Sequence, residues 1–324
     1  MADEPGAERV GGLGRDSRLK RYDDVRDMIG DIENPTPLVA LRRMLADEDV
    51  TLYLKLEWMN PFGSVKDRAA KWMLEGLQRR GELRDAIIEA TSGNTGIALA
   101  AIATLMGRRM VTTVPHNMPI EKEALLRILG AEVVHTEPDS SRHPMDVAFS
   151  LAEEMCAKDP ALVMPDQYGN SDNSLAHYES TGPEIWAQTD GKIDYFFAGI
   201  GTGGTVTGVG RYLKEQNPEI RVIAIEPVPG HHISGLKNLE ETAEPTVLDR
   251  SVIDEIIYVD DAMTRAMMRR AYREDALMIG SSSAAILAGA IPWLHRKRGV
   301  AVAISPDSGQ KAASYLVQVV ESED

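Results

Sequence analysis

Tyr195-Phe-Phe-Ala-Gly199-Ile-Gly201-Thr-Gly203-Gly204-Thr205 is the stretch on which the fold reading turns. An apolar run of strand length meets a glycine-dense turn, and Val206–Gln216 then repeats apolar residues at helical spacing. Strand, glycine turn and helix in that order mark a parallel α/β sheet, with the turn outside the carboxyl end of the strand. The same rhythm continues outward. Upstream, Val50–Glu57, Ile87–Glu89, Arg109–Val114 and Glu132–Thr136 read as strands. Val65–Arg80, Gly96–Met106, Ile120–Leu129, Met145–Lys158 and Leu175–Gln188 read as helices. Downstream, Val222–Glu226, Ile256–Val259 and Val300–Ile304 read as strands, with helices at Ala262–Glu274, Ser283–Arg296 and the C-terminus. Strands alternating with long helices predict an α/β protein of two lobes, each a mostly parallel sheet flanked by helices.

The chain has 324 residues, of which 43% are hydrophobic and 26% charged, the composition of a folded globular protein. Its net charge of −15 argues against bulk attraction to nucleic acid or to an anionic membrane. No apolar run reaches the roughly 18 residues that a bilayer span requires. Residues 1–20 are acidic and glycine-rich, without a signal or transit pattern, and read as a loose tail. A single cysteine, Cys156, rules out an internal disulfide and fits a cytoplasmic protein. No Cys/His spacing suggests a metal site, and His231-His232 is the only adjacent histidine pair.

Gly199, Gly201 and Gly204 satisfy GxGxxG, and Glu226 ends the next strand, which is the pattern of a nicotinamide-dinucleotide site. That reading stands beside a plain phosphate seat at the helix N-terminus. A second turn, Thr91-Ser92-Gly93-Asn94-Thr95-Gly96, also joins a strand to a helix. Its short hydroxyls and amide lie beside free backbone N–H groups and suit a carboxylate or phosphate, while Ser92 or Asn94 alone could be a helix cap. A third segment, Asn60-Pro-Phe-Gly-Ser64-Val-Lys66-Asp67-Arg68, puts Lys66 in a first helical turn. A cation is unfavourable there, and a lowered pKa is what a Schiff-base lysine needs.

These three segments, in this order, resemble the cysteine synthase and cystathionine β-synthase family of pyridoxal-phosphate enzymes, fold type II. The likeness runs from Asn34-Pro-Thr-Pro-Leu38 to about Gln310. It implies that Lys66 carries the cofactor and moves the proton, and that Gly201, Thr202, Gly203, Gly204 and Thr205 hold its phosphate. It matches Asn94 to the asparagine at the pyridoxal 3′-oxygen and Ser282, in Gly280-Ser281-Ser282-Ser283, to the serine at the pyridine nitrogen. Thr91, Ser92, Gly93 and Thr95, with Gln167 of Gln167-Tyr168-Gly169-Asn170, match the substrate-carboxylate site. The lobes would be 49–160 and 161–324, with a mobile part over about 103–158, and 21–48 would pack on the large lobe. No metal or haem is implied.

The implied activity is β-replacement, making L-cysteine from sulfide and O-acetylserine or O-phosphoserine. The alternatives are cystathionine synthesis from serine and homocysteine, a serine or threonine dehydratase, a nicotinamide oxidoreductase, and a non-catalytic interaction protein. Within the aperiodic segment Pro227–Arg250, Gly235 matches an active-site glycine. Lys237 stands where many O-acetylserine users have a small residue, and could neutralise a substrate phosphate. Ala284 and Pro119 depart from the family pattern. A homodimer is expected, with a serine acetyltransferase or sulfur-carrier protein as possible partners.

Overall fold

The computed structural model describes residues 20–321 apart from 46–48, 92, 117, 119, 140, 143 and 312. The expectations for Ser92, for Pro119 and for the tail up to residue 19 lie outside the described residues. In chain order the strands are β1 (Leu38–Ala40), β2 (Val50–Leu56), β3 (Ala86–Ala90), β4 (Arg109–Val114), β5 (Glu132–His135), β6 (Leu162–Val163), β7 (Tyr195–Gly199), β8 (Arg221–Pro227), β9 (Glu255–Val259) and β10 (Gly299–Ser305). The helices are α1 (Lys66–Arg80), α2 (Asn94–Leu105), α3 (Ile120–Ile128), α4 (Pro144–Lys158), α5 (Asp172–Ala176), α6 (Gly182–Gln188), α7 (Gly204–Gln216), α8 (Asp261–Glu274), α9 (Ser281–Leu294) and α10 (Ala313–Glu321).

Two sheets divide the strands, with orders β1-β2-β10-β7-β8-β9 and β5-β4-β3-β6. All pairings are parallel except β1 with β2. Period-two alternation builds the layers of the larger sheet. Phe197, Ile223 and Ile225 turn to the face covered by α9, whereas Phe196, Val222 and Ala224 join Val206 and Val209 of α7 on the other. Strands covered on both faces read as near-continuous apolar runs, as β8 shows from Val222 to Ile225 before the buried Glu226. In the smaller sheet Ile87 packs with Ala98, Leu99 and Ile102 of α2, and Ile88 packs with Ala148 and Ala152 of α4. No helix among the described residues is long and apolar enough to cross a membrane.

Three features differ from the sequence reading. Strand β2 was expected to open the smaller lobe at residue 49. It lies instead in the larger sheet, paired with β10 from Val50↔Gly299 to Leu56↔Ser305, so the smaller sheet begins at Ala86. Strands β1 and β6, of three and two residues, are too short to show alternation. The helix expected over Leu175–Gln188 is interrupted by a π-helical turn, His177–Thr181, just before Gly182-Pro183. Pro183 has no N–H to return to the preceding turn, and His177 Nδ1 lies 2.9 Å from Thr181 Oγ1 across that turn. Ala284 is buried inside α9, a helical position where the family's usual glycine is not needed.

Candidate active site

The carboxyl ends of β2, β3, β6, β7, β8 and β10 lead into loops that supply the lining of one cleft of about 640 Å³. This is where open parallel sheets bind their ligands. Lys66, Thr91, Gly93, Asn94, Thr95, Gln167, Gly201, Thr202, Gly235 and Lys237, all picked out from sequence, line it together.

Lys66 occupies the first position of α1. Ser64 Oγ accepts from its backbone N–H at 3.2 Å, and Asp67 Oδ2 takes the Phe62 N–H at 2.7 Å, which fixes the turn before it. Its Nζ donates to Thr202 Oγ1 at 3.4 Å. Desolvation pushes the amine down to about 8, with Glu89 opposing and Lys237 adding to the shift. At pH 7 roughly a tenth of such an amine is neutral, against well under a thousandth of a free lysine.

The phosphate-type turn is held from behind. Gly203, at φ +84°, precedes α7; the Gly204 N–H donates to Thr202 Oγ1 at 3.3 Å, and no side chain caps the helix from Gly203, which leaves the next N–H groups of the first turn for an anion. Asn173 Nδ2 donates both to Thr202 Oγ1 at 3.1 Å and to the Gln167 carbonyl at 2.7 Å. It can reach them because Gly204 has no side chain: a Cβ there would lie 2.2 Å from Asn173 Oδ1. Gly204→Ala is therefore expected to displace Asn173 and weaken cofactor binding by roughly tenfold or more. Equilibrium dialysis reads this directly, and an unchanged dissociation constant would contradict it.

On the opposite wall, α2 begins at Asn94 after Gly93, again without a side-chain cap, so the alternative in which Asn94 merely caps the helix does not hold. Gln167 Oε1 accepts from Thr95 Oγ1 at 2.7 Å. Gln167 is itself placed by Glu89, whose buried carboxylate accepts from the Asp166 and Gln167 N–H groups at 2.9 and 3.3 Å. Burial pushes Glu89 up to about 8 despite those bonds.

Gly203, Gly204, Thr205 and Ser282 are not part of the cleft lining. Thr205 Oγ1 sits 3.2 Å from His177 Nε2, directed at the π turn, and burial pushes that histidine down to about 3, leaving it neutral. Ser282 lies beneath Gly235, 3.9 Å from where a Cβ on that glycine would stand, and Ser281 faces the cleft instead. Glu226 cannot reach for a ribose, because its Oε1 accepts from Leu239 N–H at 2.9 Å and Asn238 Nδ2 at 3.2 Å. That removes the acid on which the dinucleotide reading depended.

The cleft also contains residues that the motif reading did not assign. Tyr168 places its ring 3.9 Å from Lys237 Nζ, and Asp307 and Lys311 flank Asn94. Tyr168 lies inside Gln167-Tyr168-Gly169-Asn170, next to a residue whose role the resemblance does imply. Lys311 falls one residue past the end of the family likeness.

An amine with a lowered pKa, an uncapped helix N-terminus behind a glycine turn and open space at Gly93, where a Cβ would meet nothing within 4 Å, fit a phosphorylated aldehyde cofactor. The pyridoxal-phosphate dependent enzyme family matches residues 29–305. The chain belongs to that family. Like other pyridoxal-phosphate dependent enzymes, it uses pyridoxal 5′-phosphate. Cysteine synthase B of Pseudomonas aeruginosa is 39% identical over 297 residues, covering 91% of this chain and 97% of that protein. Cysteine synthase B of Escherichia coli is 40% identical over 282 residues, covering 86% and 92%. The crystal structure of O-ureido-L-serine synthase superposes with a TM-score of 0.83 at 34% identity, covering 91% of this chain and 94% of that one.

Proposed function

We propose that this enzyme makes L-cysteine by β-replacement from sulfide and an activated L-serine, and that the activating group it reads best is a phosphate. The observation that carries the second part is Lys237. Its ammonium rests on the Tyr168 ring, and among the described residues it has no carboxylate within ion-pair distance. Desolvation lowers its pKa, with Asp146 opposing from beyond ion-pair distance, the condition of a cation held partly out of water. A phosphate entering the cleft supplies a counter-ion.

The other roles are those that the family resemblance implies. Thr91, Thr95 and Gln167, with the N-terminus of α2, hold the substrate carboxylate. The loop from Gly201 to Thr205 would hold the cofactor phosphate through its backbone, Asn94 would serve the cofactor's 3′-oxygen, and Ser282 would serve its ring nitrogen. Bound pyridoxal 5′-phosphate supplies the electron sink that lets the α-carbon lose a proton and the β-substituent depart. Lys66 Nζ takes and returns that proton, and Thr202 Oγ1 keeps the amine oriented while it is free.

The test is a substrate panel on the holoenzyme and its Lys237→Ala variant. Loss of Lys237 is expected to lower kcat/KM for O-phosphoserine by roughly 10- to 100-fold, the worth of a charge-assisted contact. O-Acetylserine should change little. An equal fall for both esters would remove the phosphate reading. Faster formation of cystathionine from serine and homocysteine than of cysteine would replace the reaction itself.

A further inference from the structure

Asn94 stands between two opposite charges. Its Nδ2 donates to Asp307 Oδ2 at 2.7 Å, and its Oδ1 accepts from Lys311 Nζ at 3.3 Å. Both partners come from the segment after β10, and both line the cleft. A side-chain amide is nearly symmetric in shape, so its two orientations normally differ little in energy. Here the flipped amide would set oxygen against a carboxylate and N–H against an ammonium. The pair therefore selects one orientation, with one N–H of the amide engaged by Asp307 and the other left over.

Lys311 does a second thing at the same place. Its Nζ donates to the Phe62 carbonyl at 2.5 Å, while the Phe62 N–H goes to Asp67. The turn that delivers Lys66 and the amide of Asn94 are thus held by a single ammonium. Gly63, at φ +81°, leaves room for it: a Cβ there would lie 2.9 Å from Lys311 Cε.

We propose that Asp307 and Lys311 are a positioning pair that locks the Asn94 amide so that its free N–H is always the group offered to the cofactor's 3′-oxygen. The proposal rests on the reading that Asn94 faces that oxygen. Its consequence is electronic: a constant donor at the 3′-oxygen sets the balance between the two protonation forms of the bound cofactor, which absorb in the visible and the near ultraviolet.

The experiment compares visible and near-ultraviolet spectra of the holoenzymes carrying Asp307→Asn, Lys311→Met and Asn94→Ala, with no amino acid present. Each variant should move the ratio of the two bands in the same direction, by roughly fivefold, the equilibrium worth of one hydrogen bond. Asp307→Asn added to Asn94→Ala should change nothing further, because its route runs through the missing amide. Spectra of Asp307→Asn and Lys311→Met that superpose on wild type would overturn the pair. So would a full additional shift in the double variant. An Asn94→Ala spectrum identical to wild type would overturn the placement of Asn94 and this proposal with it, leaving the Lys237 test unaffected. If Asp307→Asn does not fold, as judged by circular dichroism, Lys311→Met and its combination with Asn94→Ala carry the same comparison.

Discussion

Lys66→Ala is expected to reduce turnover by at least about a thousandfold while leaving a folded protein that still takes up cofactor without a covalent link. A positioned acid–base group alone is worth about 10²–10⁴-fold, and Lys66 has two tasks, attachment and proton transfer. Alanine at the first position of α1 is a good helix residue, and the turn before it is held by Asp67, Ser64 and Lys311, none of which depends on the lysine amine. The phosphate seat at Thr202 loses only the 3.4 Å bond from the amine and keeps that from Asn173 Nδ2 at 3.1 Å. Borohydride reduction followed by peptide mapping should find the cofactor on Lys66 in wild type and on no lysine in the variant. A variant that retained a tenth of wild-type activity, or that still reduced onto protein, would remove Lys66 from its role.

The second large effect lies beneath the cleft. Arg68, two residues after Lys66, has no solvent exposure and donates to Glu57 at 2.7 and 2.9 Å and to Glu184 at 2.5 and 3.0 Å. Its guanidinium also reaches the Gly30 carbonyl at 2.6 Å and Ser180 Oγ at 3.0 Å. Lys55 completes the cluster, with Nζ 2.5 Å from Glu184 Oε2 and 2.8 Å from the Thr36 carbonyl. Two cations and two carboxylates thus balance out of water. They tie the N-terminal segment, β2, α1 and α6 to one point.

Arg68→Met would leave Glu57 and Glu184 facing each other with only Lys55 between them. Removing one partner of a buried ion pair costs about 3–5 kcal/mol, a large share of the roughly 5–15 kcal/mol by which domains are stable. Urea denaturation of the cofactor-free protein should show a midpoint far below wild type. Arg68→Lys should recover little, because a single ammonium cannot reproduce four bonds to two carboxylates in one plane. A loss under about 1 kcal/mol in the methionine variant would show that the cluster is not a stabilising centre.

Much of this could be read from the chain, for identifiable reasons. The turn before α7, the Thr91–Thr95 turn and the segment before α1 each place their chemistry within a few adjacent residues, so spacing alone exposes them. The long strands β4, β7 and β8 carry enough apolar residues to be seen locally. What could not be read depends on partners distant in sequence. Nothing in Val50–Leu56 says that it pairs with Gly299–Ser305. Nothing at Glu226 says that its carboxylate is consumed by the loop at Asn238. Arg68 carries no local signal beyond its place in the lysine motif, since its acids lie 11 residues behind and 116 ahead. Asp307 and Lys311 sit after the last strand, 213 and 217 residues from Asn94, and only the fold brings them to it.

The pairing of β2 with β10 also sets a timetable. On a ribosome β2 is complete roughly 240 residues before β10 exists, and at about 5–20 residues per second that interval is roughly 12–50 s. Throughout it, one edge of β2 has no neighbour, and Leu52 and Leu54, later at the centre of the protein, have little to cover them. Asp307 and Lys311 emerge later still. The nascent chain can finish the smaller sheet early, but the Asn94 amide beside it waits for the two groups that flank it in the finished fold.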